Sequence, residues 1–214
     1  MFHHLLTVWF QFVLDWHYLG VFLLMALEST VVPIPSEIII PPAAYWASQG
    51  QMNFWGVVAA GTFGSYFGSV ISYFVSQWVG RPFLLKFGKY FFITPQKLAF
   101  AEKWALKYGA GGVFLSRLLP VARHLISIPA GILRMNFLRF SVATLTGSGL
   151  WCFVLAWFGR EVIGDQPSLM QDPAVLAHVL KAKLIYFAIA VLVLGALYFI
   201  IRRQIEKGSH LNGG

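Results

Sequence analysis

Residues 18 to 49 form an apolar stretch broken at its centre by Pro33-Ile34-Pro35 and flanked there by two acids, Glu28 and Glu37. Proline lacks the backbone donor and disfavours helix in the residue before it, so the stretch cannot be one continuous helix. The arms, residues 18 to 32 and 36 to 49, are each shorter than the ~20 residues needed to cross a bilayer. Such a break survives at membrane depth only where protein or water satisfies its free backbone groups. The pattern therefore reads as a re-entrant hairpin that enters and leaves on one side, with Pro33 and Pro35 as its breaks.

The pattern occurs twice. Gly20-Val21-Phe22-Leu23, Met52-Asn53-Phe54 and Gly80-Arg81 recur in order as Gly112-Val113-Phe114-Leu115, Met135-Asn136-Phe137 and Gly159-Arg160. Landmarks repeated in order indicate an internal repeat. The second copy has an arm to Leu119, a break at Pro120, and a short arm holding Pro129 and Gly131. Each copy then continues into an apolar run long enough to span, residues 54 to 79 and 140 to 158. The first run carries Gly56, Ala60, Gly64, Gly68, Ser72 and Ser76 at every fourth position, a small-residue face that lets another backbone approach.

Only 11% of the residues are charged and 58% are hydrophobic. A soluble domain carries about 25% charged residues, so this deficit places the chain in the membrane class. The 8 Trp lie mostly near the ends of apolar runs and read as interfacial anchors, Trp151 and Trp157 included. A hairpin returns to its own side and the following span crosses, so the second hairpin enters from the opposite face. The repeats are expected to be inverted. Arg81, Lys86, Lys89, Lys97, Lys103 and Lys107 against the single acid Glu102 make the linker cytoplasmic, with Thr94 and Pro95 starting an interfacial helix. Arg134 and Arg139 then fall inside. A loop holding Glu161, Asp165 and Asp172 falls outside, and Arg202 and Arg203 follow a last span on the inside.

The expected fold is an all-α integral membrane protein. It is an inverted repeat of two re-entrant helical hairpins, each followed by a transmembrane helix, with interfacial helices and a C-terminal transmembrane helix. One membrane domain covers residues 1 to 207. Within it lie a first repeat (18–81), a cytoplasmic amphipathic linker (82–108), a second repeat (109–160) and a C-terminal span (184–201). Residues 2 to 14 are too few to cross and read as an interfacial helix, and residues 208 to 214 as a flexible tail.

Against this apolar background four charges stand out: Glu28 and Glu37 around the first break, Arg117 and Arg123 around Pro120 in the second. An ionisable residue at membrane depth is a functional hypothesis by default. The bland alternative is that the four pair with one another and hold the hairpin tips together, although apolar packing would often serve as well as a buried ion pair. Arginine suits phosphate, because its planar fork gives two parallel hydrogen bonds and stays protonated. Glutamate can take up protons. The net charge of +8 reads first as membrane orientation and second as attraction to anionic lipid. Cys152 is alone and reads as a small core residue. His124, beside Arg123, is the histidine nearest the site, and the histidines lack metal-ligand spacing. No glycine-rich phosphate loop and no nucleophile elbow occurs, and no basic run interleaved with aromatic platforms suggests nucleic acid.

Residues 18 to 160 resemble the DedA family, also called the SNARE-associated or VTT-domain family. The resemblance rests on Glu28-x4-Pro33-x-Pro35-x-Glu37, on Gly61, Gly64 and Gly68, and on Phe114-x2-Arg117-x2-Pro120-x2-Arg123 followed by Ile128-Pro129-Ala130-Gly131. It implies a flippase that returns undecaprenyl phosphate across the bacterial cytoplasmic (inner) membrane, coupled to the ion gradient. It is expected to be multi-pass with a cytoplasmic C-terminus, and not an enzyme. In that reading Arg117 and Arg123 bind substrate, while Glu28 and Glu37 couple protons and gate. A polyprenyl phosphate and anionic membrane lipids are the expected partners. A homo-oligomer is compatible with it, and no cofactor, metal or nucleic acid is expected. Two other classes stay open: a proton-coupled small-ion or drug exchanger using the same charges, and a membrane lipid phosphatase. The latter is suggested by Ser116-Arg117 near His124, but Pro35-Ser36 continues to Glu37 rather than into a phosphatase motif.

Overall fold

The computed structural model describes residues 2–30, 36–87, 95–119 and 122–165. The chain divides into units Met1–Ala177 and His178–Gly214, and all the described residues belong to the first. The breaks Pro33, Pro35 and Pro120, the 184–201 span and the tail lie outside the described residues, as does the side chain of His124.

The described residues are helical throughout: α1 Phe2–Thr30, α2 Ile40–Ser48, α3 Phe54–Phe87, α4 Pro95–Arg117, α5 Ala122–Leu125, α6 Ser127–Ile132 and α7 Phe137–Asp165. A short 3-10 turn, Ser36–Ile38, precedes α2. Three segments are long and apolar enough to cross a membrane: Gln11–Thr30, Phe54–Gly80 and Phe137–Glu161.

Three long helices contain a non-helical residue: His17 in α1 (φ 49°), Gly80 in α3 (φ 73°) and Gly109 in α4 (φ 54°). Gly80 and Gly109 occupy a region that side chains with a Cβ rarely adopt, so the sequence signals those bends through glycine. His17 gives no such signal. The expected interfacial helix, residues 2 to 14, lies in the part of α1 ahead of the kink at His17, which separates it from the helix that runs on to Thr30. Proline opens α4, where its missing donor costs nothing.

Asparagine starts both spans. Asn53 Oδ1 accepts from the N–H groups of Trp55 (2.9 Å) and Gly56 (3.2 Å), and Asn136 Oδ1 accepts from Arg139 N–H (3.1 Å). These bonds satisfy free donors of the first helical turn. They also move the start of the second span to Phe137, ahead of the expected Phe140. At its other end α7 continues to Asp165, so Glu161 and Asp165 lie on helix rather than in a loop.

The two halves end their short arms in the same turn. After α2, the N–H groups of Gln49, Gly50 and Gln51 donate to the carbonyls of Tyr45, Ala47 and Trp46. After α6, those of Leu133, Arg134 and Met135 donate to Pro129, Gly131 and Ala130 in the same pattern. Gly50 takes the left-handed conformation in one (φ 80°) and Arg134 in the other (φ 48°).

Packing follows the small residues. A methyl group on Gly64 would strike the Phe22 carbonyl, and one on Gly68 the Ala26 carbonyl. One turn on, Ser72 Oγ donates to Ser29 O (3.1 Å) and Thr30 O (3.2 Å). Both series climb together, so α1 and α3 run parallel. The chain between them must therefore return, and it does: Asn53 N–H donates to Tyr18 Oη (2.6 Å), bringing the start of α3 level with the start of the inner half of α1. The other half packs alike, with Gly147 of α7 closed by Phe114 O (3.1 Å) and Arg117 Cβ (2.7 Å) of α4. The short arms cross over: Gly159 of α7 abuts Pro41 of α2, and Gly131 of α6 abuts Tyr73 O of α3.

Candidate functional site

Glu28 lies on the last turn of α1, Arg117 ends α4, and Arg123 sits in α5. The reversals thus carry one acid and two arginines to the same place. All are withdrawn from solvent: Glu28 is 2% exposed, Arg117 2% and Arg123 4%. Charges this deep persist only when paired and hydrogen-bonded.

Arg123 is held on three sides. Its Nη2 donates to Glu28 Oε2 at 2.6 Å, its Nη1 donates to Ser36 Oγ at 2.8 Å, and its guanidinium carbon lies 5.7 Å from the Trp151 ring centroid. Ser36 closes the ring by donating its backbone N–H to Glu28 Oε1 (3.0 Å). Glu28 therefore receives bonds on both oxygens, one from each side of a loop that joins the two halves of the chain. Ser36 Oγ also accepts from Trp151 Nε1 (3.2 Å), tying α7 to the same point.

Arg117 is held differently. Nη1 donates to the Arg123 carbonyl and Nη2 to Ser127 Oγ, both at 2.7 Å. Among the described residues no carboxylate pairs with it, and its Nε has no partner. Arg117 is thus a buried cation whose direct hydrogen bonds all go to neutral oxygens, with Glu28 acting on it only through space. Glu37 is buried on the 3-10 turn and lies within electrostatic range of Glu28. Among the described residues no ion pair or hydrogen bond reaches its carboxylate. Of the four charges read from the sequence, the structure joins Glu28 with Arg123 directly and Arg117 with Arg123 through the backbone.

Ser36, Ser127 and Trp151 are site residues that sequence reasoning passed over. Trp151 is buried, hydrogen-bonded to Ser36 and set against the Arg123 guanidinium, and is not an interfacial anchor. Two signals were available. Ser36 stands inside the Pro35-Ser36-Glu37 break, and Ser127 directly precedes Ile128-Pro129-Ala130-Gly131. Neither hydroxyl differs by type from the serines that merely pack, such as Ser76.

The VTT domain family profile matches residues 34–161. Undecaprenyl phosphate transporter A of Bacillus subtilis (strain 168) is 37% identical over 180 residues, covering 84% of this chain and 87% of that protein. The protein of the same name from Staphylococcus aureus (strain NCTC 8325 / PS 47) is 32% identical over 187 residues, covering 84% and 92%. An alkaline phosphatase-like protein of Lactococcus lactis subsp. lactis (strain IL1403) is 32% identical over 188 residues, covering 86% and 83%. No solved structure matches.

Proposed function

The chain belongs to the VTT-domain (DedA) family, a multi-pass membrane protein family, and on that premise we propose that it moves a lipid phosphate, undecaprenyl phosphate first of all, across the bacterial cytoplasmic membrane. Arg117 and Arg123 bind the phosphate, and Glu28 and Glu37 couple the step to the ion gradient. The observation that carries this reading is the asymmetry of the two arginines. Arg123 has a carboxylate partner and Arg117, equally buried, has none among the described residues. A phosphate gives Arg117 the directly bonded anionic partner that it lacks among the described residues.

The chemistry follows from the ring. Glu28 and a phosphate compete for Arg123, since both are oxyanions that match its fork. Protonating Glu28 removes its charge and weakens its hold on Nη2, which releases the fork toward the lipid headgroup. Loss of that proton restores the Glu28–Arg123 bond and displaces the headgroup. Glu37 adds a second buried carboxylate on the neighbouring 3-10 turn.

The arrangement proposed around the site is an inverted repeat of two re-entrant hairpins. Three observations support it: α1 and α3 run parallel with a return between them, both short arms end in one turn, and each short arm packs on the other half's span. Positive charge supports a cytoplasmic linker 82–108 and a cytoplasmic C-terminus. The sites then face a midplane reached from both leaflets, as inverted repeats with broken helices arrange it. The name of the Lactococcus relative keeps a phosphatase reading in view, and release of inorganic phosphate from undecaprenyl phosphate by purified protein would establish it.

The test compares binding of undecaprenyl phosphate with undecaprenol. Arg117→Lys and Arg123→Lys each weaken binding of the phosphate by about 1.5–3 kcal/mol, the worth of a hydrogen bond to a charged group, because a point charge does not replace a fork. Arg134→Lys and Arg139→Lys, both exposed, leave it unchanged. Equal affinity of the wild type for the neutral alcohol would overturn the arginine clamp.

A further inference from the structure

Among the described residues two buried side-chain polar atoms lack a hydrogen-bond partner: Arg117 Nε and Thr144 Oγ1. Leaving such a group unpaired is costly, and buried hydroxyls are nearly always bonded. A threonine inside a helix has an easy remedy, a bond back to the carbonyl four residues earlier. Its neighbour on α7, Thr146, takes that remedy and donates to Val142 O at 2.7 Å. Thr144, completely buried, does not.

The two orphans lie on one face of α7. Thr144, Gly147 and Ser148 are three and four residues apart, the spacing that stacks positions on one side of a helix. The Arg117 stem crosses that face at Gly147, where an added methyl would lie 2.7 Å from its Cβ and 3.1 Å from its Cγ. Nε is the first guanidinium atom beyond this stem. Long side chains on a helix lean toward its N-terminus. Val113 shares a core cluster with Phe140 and Ala143, and Arg117, one turn on, meets Gly147, so α4 and α7 climb together and that lean carries Arg117 toward Thr144. Nη1 and Nη2 each give one of their two hydrogens, to the Arg123 carbonyl and to Ser127 Oγ, so Nε is the one nitrogen of the fork with no bond.

We propose that Arg117 Nε and the Thr144 hydroxyl are the seat of one phosphate oxygen, making Thr144 a substrate-binding residue that holds the headgroup side-on. Both groups donate, and both are vacant donors, one of them on a guanidinium with no directly bonded carboxylate among the described residues. An anionic oxygen satisfies the two together, whereas an alcohol offers less charge to either. This rests on the reading of Arg117 as a phosphate ligand and adds the partner that reading lacked.

Thr144→Val separates the possibilities, because valine keeps the shape and deletes the hydroxyl. In full-length purified protein, undecaprenyl phosphate, undecaprenol and inorganic phosphate are titrated against the wild type, Thr144→Val and Thr144→Ser. The expected result is an unchanged or raised Tm for Thr144→Val without ligand, about tenfold weaker binding of undecaprenyl phosphate, and recovery in Thr144→Ser. Competition by inorganic phosphate in the wild type, lost in Thr144→Val, assigns the seat to the phosphate group itself. Its absence confines the seat to the lipid-borne headgroup. A wild type that prefers phosphate to alcohol, with a Thr144→Val that prefers it equally, overturns this inference and leaves the arginine clamp standing. A wild type indifferent to the phosphate overturns both. A Thr144→Val that loses stability and binds all three probes like the wild type assigns the hydroxyl to packing and sinks the proposal.

Discussion

Ser65 Oγ and Ser148 Oγ lie 3.3 Å apart, and each occupies the same place in its own half of the chain. Superposing Met52-Asn53-Phe54 on Met135-Asn136-Phe137 brings Ser65 onto Ser148 and Gly64 onto Gly147. The two spans meet at equivalent residues and then diverge in opposite senses. Tyr73 and Phe74 of α3 stack with Phe140 and Phe137 at one end, and Phe54 and Trp55 meet Phe153 at the other. Antiparallel spans that touch at matched positions are the arrangement expected of halves related by a two-fold axis lying across the helices. This is further support for the proposed inverted repeat.

That relationship sets the first prediction. Gly64 and Gly147 are equivalent, and each leaves no room for a Cβ beside the carbonyl of Phe22 or Phe114. Gly64→Ala and Gly147→Ala should each lower stability by about 1–3 kcal/mol, the usual effect of overpacking a closed contact. Gly149→Ala should not, because its nearest neighbours stand at 3.6 and 3.7 Å and alanine favours helix. Unfolding midpoints in one detergent at fixed pH measure all three. A Gly149→Ala as damaging as the other two would mean that backbone entropy, not the close approach, decides.

The topology is tested by labelling. In a Cys152→Ser background, Lys103→Cys on α4 and Glu161→Cys at the far end of α7 occupy exposed positions. A membrane-impermeant thiol reagent should reach Glu161→Cys in intact cells and Lys103→Cys only after lysis. Labelling of both from outside would contradict inverted halves.

How much of this was legible in the sequence follows from residue chemistry. The four charges announced themselves because a carboxylate or guanidinium among apolar residues has few innocent explanations. The breaks at Gly80 and Gly109 could be read from glycine. The bend at His17 could not, since histidine gives no sign of a positive φ. The sequence likewise placed both glutamates at the first break but could not choose between them as the partner of Arg123. That choice depends on the turn Ser36–Ile38, which aims Ser36 N–H at Glu28 and leaves Glu37 on the next position. Hydroxyls such as Ser36, Ser127 and Thr144 are unreadable for the opposite reason to the charges: in a membrane helix most serines and threonines only pack.

The Glu28–Arg123 pair gives the third prediction. Removing one partner of a buried pair leaves a charge uncompensated and costs about 3–5 kcal/mol, whereas removing both is often close to neutral. Glu28→Gln keeps an acceptor for Arg123 but not the charge, so it should destabilise the protein. Glu28→Gln/Arg123→Gln should recover much of that loss. In reconstituted transport Glu28→Gln should lose the part of the pH response that Glu28 supplies, while the double variant, which lacks the Arg123 ligand, is read for stability alone. A single Glu28→Gln that transports with the wild-type pH profile would remove Glu28 from the coupling.

Ser36 carries the last prediction, because its side-chain oxygen serves two buried donors from different elements. Arg123 Nη1 and Trp151 Nε1 both point to it. Ser36→Ala leaves both donors unsatisfied at once, where Trp151→Phe removes one of them and keeps an aromatic face for the Arg123 guanidinium. An unpaired buried donor costs about 1–3 kcal/mol. Ser36→Ala should therefore be the more destabilising of the two, and the two effects should not add in the double variant, because Trp151→Phe has already deleted one of the donors that Ser36→Ala strands. A double-mutant cycle on unfolding free energy reads the coupling, expected between about 0.5 and 3 kcal/mol for residues in one hydrogen-bond network. Affinity for undecaprenyl phosphate separates the network from mere packing. Without Ser36 Oγ, Arg123 is tethered by Glu28 alone, so a phosphate competes for it more easily. Ser36→Ala should then bind the phosphate lipid at least as tightly as the wild type despite its lower stability. A parallel fall of stability and affinity would instead make the ring of Glu28, Ser36 and Arg123 part of the bound state, not a closure that the substrate must open.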